Sequence, residues 1–174
     1  MRRAGGTPPA RHGRGGIVLR PATEDDAAAV VAIFNQYAAA SHAAFTETPA
    51  PPEFFEDLRR GTYSFRVLVD AGVIAGFGSV RPLLPFPAFR RAGLLSYFIA
   101  QAYTGRGLGT RMLERLAADA RENGCTTLVA NVSSRNEASL AFHAARGFVE
   151  AGRLQAVGTK FDEPFDLVWL QRDL

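Results

Sequence analysis

The sequence predicts an α/β protein of the α+β kind, with helices packed on a sheet that has an antiparallel hairpin at its centre. Three observations carry this prediction. Apolar residues recur at three-to-four spacing in two stretches, 27–39 and 108–122. Short β-rich runs bounded by Gly and Pro lie between and after them. Two of those runs flank Asp70-Ala71-Gly72, a turn of the kind that closes a hairpin.

Gly16 to Arg20 is a β-type run stopped by Pro21. Thr23 then reads as a helix N-cap with Asp26 three residues on, and Ala27, Val30, Val31, Phe34 and Ala38 form one stripe through Ala39. Residues 41–52 show no period. Pro51-Pro52 opens a second short helix whose apolar side is Phe54, Phe55 and Leu58, ended by Gly61. Residues 65–69 and 73–80 are the hairpin strands, and Pro82, Pro85 and Pro87 stop the second. Leu94 to Gln101 is a third β run. Leu108, Met112, Leu116 and Ala120 line one side of a helix over 108–122. Thr126 to Val132 is a strand, and Asn136 caps a helix that ends at Gly147. Residues 148–160 and 165–170 close the chain as strands.

With 174 residues, 47% hydrophobic and 21% charged, the chain suits one globular domain. No uncharged stretch approaches about 18 apolar residues, so no membrane-spanning helix is expected. One cysteine, Cys125, cannot form an internal disulfide and reads as a small buried hydrophobe. The histidines at 12, 42 and 143 lack metal-site spacing, so no metal is expected. The net charge of +3 is uneven: residues 1–15 hold Arg2, Arg3, Arg11 and Arg14 and no acid, leaving 16 basic against 17 acidic residues in 16–174. Residues 1–15 are expected to be a disordered basic tail and 16–174 the folded domain. The tail lacks the aromatic interleaving of a nucleic-acid binder and the apolar face of a presequence. A cytoplasmic protein with no nucleic-acid or membrane partner is therefore expected.

Chemistry concentrates between the third β run and helix 108–122, in Thr104-Gly105-Arg106-Gly107-Leu108-Gly109-Thr110. Free N–H groups and the positive end of the helix dipole make such a turn an anion site, and glycine lets a phosphate approach the backbone. It is not a P-loop, because no lysine follows any of these glycines and the chain's one lysine is Lys160. It is not a dinucleotide fingerprint either, since Thr110 stands where the third glycine belongs. Taken alone, the turn also fits a plain connection.

Together with its surroundings, the turn resembles that of the GNAT superfamily of acyl-CoA-dependent N-acetyltransferases. The pattern Q/R-x-x-G-x-G/A after a strand is similar to Thr104 to Gly109, which keeps the glycines but has Thr104 in place of the usual Gln or Arg, a change of little weight where backbone N–H groups make the contacts; N-x-x-(S/A)-x-x-x-(Y/H)-x-x-x-G-(F/Y) is met by Asn136 to Phe148. LRPATEDD at 19–26, FNQY at 34–37, Phe45-Thr46-Glu47 and WLQRD at 169–173 are similar to the phosphinothricin and methionine sulfoximine acetyltransferase branch. The likeness covers residues 17–173.

The resemblance implies a GNAT fold, a mixed central sheet of six to seven strands flanked by about four helices. It implies acetyl-CoA as co-substrate, with no metal, and transfer of acetyl to the amine of a small, amino-acid-like acceptor by direct attack in a ternary complex. Tyr97, Phe98 and Ile99 match the strand whose backbone pairs with the pantetheine arm. Thr104, Gly105, Arg106, Gly107, Leu108, Gly109 and Thr110 match the pyrophosphate turn; Arg106 either adds charge there or is a solvated loop residue. Asn136 matches a residue that the family places beside the cofactor, and it fits equally well as the cap of its helix. His143 falls where the family places a proton donor to the departing thiolate, or a group that holds the reactants. Phe34, Tyr37, Phe45 and Arg81 match the acceptor pocket.

One departure stands out. The branch's glutamate base falls on Leu94, which leaves a water relay through Ser96, Glu47, a weakly basic amine, or lost catalysis. Lost catalysis would make the chain an acyl-CoA-binding regulatory or catalytically weakened protein, the alternative to an enzyme. The apolar loop PLLPFPAF at 82–89 suggests a homodimer.

Overall fold

The computed structural model describes residues 16–174, so the tail expected at 1–15 lies outside the described residues. The chain runs β1 (Val18–Pro21), α1 (Ala27–Ala40), α2 (Phe54–Arg59), β2 (Ser64–Asp70), β3 (Val73–Pro82), β4 (Ala92–Ile99), α3 (Leu108–Glu122), β5 (Thr127–Ser133), α4 (Glu137–Ala144), β6 (Val149–Lys160) and β7 (Glu163–Asp173). The strands form one sheet in the order β1-β2-β3-β4-β5-β7-β6. Every neighbouring pair is antiparallel except β4 and β5, which are parallel. Seven strands and four helices match the predicted mixed sheet.

Strand alternation divides the core between the two faces of the sheet. Leu68, Val80 and Leu95 pack with Met112, Leu113, Leu116 and Ala117 of α3. Val67, Phe65 and Phe77 pack with Val30 and Ile33 of α1 and Phe55 of α2. The helix stripe differs slightly from the predicted one: Val30, Ile33 and Ala38 are buried, whereas Val31 and Phe34 are partly exposed. The alanine-rich run gives little contrast between faces, and this blurs the period. A 3-10 turn at Glu24–Asp26 precedes α1, and the Thr23 N–H donates to Asp26 Oδ2 at 2.8 Å, as expected of an N-cap.

The hairpin closes at Ala71-Gly72 with φ of 47° and 87°, left-handed values that match the twist of its strands. β4 starts earlier and stops earlier than predicted, because Gln101–Tyr103 turns into a 3-10 helix. Asp119 of α3 fastens that helix to β2. Its carboxylate is buried and accepts from Arg66 Nε and Nη2 at 2.8 and 2.9 Å, and from Ser64 and Arg115.

β4 and β5 pair only at Ala92–Thr127, Gly93–Leu128 and Leu94–Val129. Beyond that point they diverge, with Leu95 to Ile99 on one side of the gap and Ala130 to Ser133 on the other. This opening positions the site.

Candidate active site

The gap between β4 and β5 widens into a cleft of about 890 Å³, bounded by the 104–110 turn, α4 and the segment after α1. Ala100 N–H donates to the Ala75 carbonyl of β3 at 2.9 Å. Backbone groups alternate sides along a strand, so the N–H and C=O groups of Tyr97 and Ile99 face away from β3 and into the gap. The Ile99 carbonyl accordingly accepts the Tyr37 hydroxyl. β4 therefore offers an unpaired strand edge to an extended ligand. The Phe98 side chain goes to the opposite face, against Phe34, Tyr37 and Phe77.

The turn shapes the other end of the cleft. Gly105 and Gly107 have φ of 75° and 76°, and Gly107 is the N-cap of α3. Left-handed backbone here costs any residue with a Cβ about 1–2 kcal/mol, which is why glycine stands at both positions. Thr104, Gly105, Gly107, Leu108, Gly109 and Thr110 all line the cleft; Arg106 does not, and its guanidinium lies 4.9 Å from the Tyr103 ring centre.

The cation at the turn is Arg146, which motif reading missed because it lies outside the glycine pattern. Its Nε and Nη2 donate to Thr110 Oγ1 at 3.0 and 2.5 Å, Nη1 donates to the Phe142 carbonyl at 2.9 Å, and the guanidinium sits 3.6 Å from the Phe142 ring centre. A fixed cation beside a positive helix end is unfavourable until an anion arrives. Thr110 and Arg146 together therefore place positive charge at the turn.

Asn136 caps α4, its side-chain oxygen accepting the Ser139 N–H at 3.2 Å, and it also lines the cleft. One turn further on, His143 is 4% exposed. Its Nδ1 is 2.7 Å from the Ser139 carbonyl, and its Nε2 is 2.8 Å from the Tyr97 hydroxyl. A carbonyl can only accept, so Nδ1 carries the proton; Nε2 then holds the lone pair and Tyr97 donates to it. Burial pushes the His143 pKa down, the Ser139 carbonyl offsets part of this, and the charges of Arg146 and Arg172 depress it further. The ring is neutral near pH 7, with its one N–H engaged by the Ser139 carbonyl. Burial pushes the Tyr97 phenol well above its usual value, so it keeps its proton.

Among the described residues, no Asp or Glu lines the cleft. Leu94, 8% exposed, is part of the wall. Glu47 is occupied elsewhere: its Oε1 accepts the Phe161 N–H at 2.7 Å, outside the lining. No group of His, Cys, Asp and Glu able to hold a metal occurs among the described residues. Cys125 is buried.

Aromatic side chains form much of the wall of the cleft. Phe34, Tyr37, Phe45 and Arg81 all line it. Phe45 stacks on Phe165 at 5.8 Å and borders a second cavity of about 210 Å³ lined with Val157, Phe165 and Leu167. Lys160, 2% exposed, fixes the segment that carries Phe45, its Nζ donating to the Ser41 and Ala44 carbonyls at 2.5 and 2.9 Å.

A strand edge opened by splaying, beside a glycine turn at a helix N-terminus, suits an extended ligand with a polyanionic end. The sequence model of the Acetyltransferase (GNAT) family matches residues 30–148. The chain belongs to the GNAT acetyltransferase family.

Two curated relatives extend the match over most of the chain. The L-amino acid N-acyltransferase MnaT of Escherichia coli is 31% identical over 160 residues, 90% of this chain and 93% of that protein. The L-methionine sulfoximine/L-methionine sulfone acetyltransferase of Pseudomonas aeruginosa is 32% identical over 161 residues, 90% of this chain and 94% of that protein. Among solved structures, yncA of Salmonella typhimurium, determined with its cofactor acetyl-CoA, superposes with a TM-score of 0.82 at 29% identity, covering 91% of this chain and 94% of that one. This GNAT protein is accordingly an acetyl-CoA-dependent N-acetyltransferase.

The glycine turn gives a direct test. Gly107→Val is expected to let the turn relax out of its left-handed form, so that binding has to restore it at a cost of about 1–2 kcal/mol, or a rise of roughly 5–30-fold in the acetyl-CoA Kd. Titration calorimetry with acetyl-CoA measures this.

Proposed function

We propose that this GNAT enzyme acetylates the primary amine of a free, amino-acid-like acceptor by direct attack in a ternary complex. The observation that carries the reading is a single cleft whose wall includes both the glycine turn with Arg146 and Arg81, Phe34, Tyr37 and Phe45. The turn and Arg146 take the phosphates of acetyl-CoA, and the β4 edge at Tyr97 and Ile99 takes the pantetheine arm. Asn136 borders that arm. Arg81 offers a bidentate contact for an acceptor carboxylate, and the recess at Phe45, Val157 and Phe165 receives an apolar side chain. The relatives whose names specify amino-acid-like acceptors support this choice.

The bound thioester supplies the activated acyl group. The chain aligns the amine with the thioester carbon and excludes bulk water from it, which converts a bimolecular step into an oriented one. The test is release of free CoA by purified protein offered acetyl-CoA with amino acids, their phosphinate and sulfoximine analogues, polyamines and peptides. Turnover confined to amino-acid-like acceptors is the expected result. The acid-free cleft favours one second reading, an acyl-CoA-binding protein with weakened catalysis, and acetyl-CoA binding without turnover across the panel would establish it.

We place the enzyme in the cytoplasm; no helix among the described residues is long and apolar enough to cross a membrane. We also propose a homodimer. The loop at 82–91 exposes Leu84, Phe86 and Phe89, but β6 is the stronger candidate face. It is an edge strand exposed on both faces from Val149 to Val157, with Leu154 among its bare apolar residues. Unpaired edges of this length are usually covered. Val149→Glu with Leu154→Glu is expected to give monomers by light scattering, while Leu84→Glu with Phe86→Glu leaves dimers.

A further inference from the structure

We propose that Tyr97 and His143 form the proton relay of acetyl transfer, the phenol touching the reacting amine and sulfur and the imidazole behind it storing the proton. The proposal rests on the acetyl-transfer reading above and identifies the group that does the work of a carboxylate base.

The first support is elimination. An alkylamine of pKa about 10.4 has to shed protons to react near neutrality, and the usual acceptor in such a cleft is a carboxylate. None lines this one among the described residues. The neutral titratable side chains on the wall are Tyr37, Tyr97, Tyr103 and His143. The Tyr37 hydroxyl is committed to the Ile99 carbonyl, and no base stands behind Tyr103. A phenol without a base behind it cannot take a proton near pH 7. Only Tyr97 has one, at 2.8 Å.

The second support is how firmly that pair is held. The Ser139 carbonyl fixes the tautomer of His143 by accepting the hydrogen bond from Nδ1–H at 2.7 Å, which leaves the Nε2 lone pair aimed at Tyr97. Asn136 caps the helix carrying both Ser139 and His143. Tyr97 owes its place to the absence of a side chain at Gly78 across the β3–β4 pair, where a Cβ would stand 2.7 Å from the Tyr97 Cβ. The phenol, the imidazole and the carbonyl thus form one hydrogen-bonded chain along the cleft wall.

The proton balance closes. The ammonium first loses one proton to solvent; as the C–N bond forms, the neutral amine passes an N–H proton to the Tyr97 oxygen, and Tyr97 passes its own proton to His143 Nε2. The C–S bond breaks with its electron pair going to sulfur. The imidazolium returns its proton through Tyr97 to the thiolate, so amide and thiol leave and the relay is restored. The charged groups around His143 are Arg146 of its own helix end and Arg172 of β7, with Glu114 of α3 lying 3.5 Å from Arg172. Both arginines disfavour the imidazolium, so the stored proton is readily given back.

The experiment compares wild type, Tyr97→Phe, His143→Gln and the double variant. It measures the acetyl-CoA Kd by calorimetry, thermal melting, and kcat and KM against pH with the best acceptor. Expected results are a fall in kcat of about 10²–10⁴-fold in Tyr97→Phe, with a Kd within about twofold of wild type. The acid limb of the kcat profile, set by neutral His143, disappears in both single variants. The double variant is no slower than the slower single one, as for two groups that act as a unit. A folded Tyr97→Phe that keeps wild-type kcat, or that slows but keeps the acid limb, overturns the relay while leaving acetyl transfer intact. Should Tyr97→Phe melt early, the same two outcomes in His143→Gln overturn the relay in its place. A wild type that binds acetyl-CoA and acetylates nothing removes the acetyl-transfer reading, and the relay with it.

Discussion

Asp119→Ala is expected to lower the folding free energy by about 3–5 kcal/mol, the usual cost of taking one partner from a buried ion pair. Asp119 collects Arg66 from β2 and Arg115 from its own helix, with the Ser64 hydroxyl completing the cage. Its removal leaves the Arg66 guanidinium, largely buried, facing no anion. Urea titration measures the loss. The same carboxylate gives the enzyme an acid limb. Burial alone raises its pKa, but the bonds from Arg66, Ser64 and Arg115 outweigh burial and hold it below the ordinary carboxylate value. A depressed folded pKa means that this contribution is fully present above the unfolded value, near 3.9, and is lost as pH falls through the lower folded value. Stability of the wild type should therefore fall below about pH 4. Asp119→Ala should fall less steeply over the same range, since it lacks this carboxylate while Asp26, likewise depressed by its bond from Arg20, still contributes there.

Lys160→Met comes next in size. The Lys160 ammonium is buried and donates to the Ser41 and Ala44 carbonyls, just beyond the end of α1. A hydrogen bond from a charged donor contributes about 1.5–3 kcal/mol, and carbonyls left dry without a donor add to the loss. The variant is expected to be less stable by about 3 kcal/mol. Because the freed segment holds Phe45, the acceptor KM should rise while the acetyl-CoA Kd stays unchanged. Thermal melting and a KM-against-Kd comparison check the two halves of this expectation.

What sequence alone made legible follows from how local each signal is. The hairpin at Ala71-Gly72, the N-cap at Thr23 and the glycine turn at 104–110 are set by neighbours in the chain, and they stand where the residues indicated. The family resemblance likewise reached the sheet of seven strands. Long-range features were not legible. Arg146 is 36 residues from Thr110, and nothing between them marks the pair. Tyr97 reads as one more aromatic of a β run, and its bond to His143 appears only when β4 and α4 are brought together. Glu47 shows the converse. Its place beside Phe45 suggested a base, but its carboxylate binds the Phe161 N–H at the β6–β7 turn, and no local pattern encodes that contact.

Lys160 has a consequence for handling the protein. Of 20 basic side chains, 19 are arginines, and the single lysine lies beneath the surface with its ammonium engaged by backbone oxygens. A catalyst that handles a reactive thioester all its life thus presents no lysine nitrogen of its own for that thioester to acylate while folded. Lysine-directed labels and crosslinkers find no side-chain ammonium on the folded surface, and acylation of Lys160 becomes a chemical signature of chains that have opened.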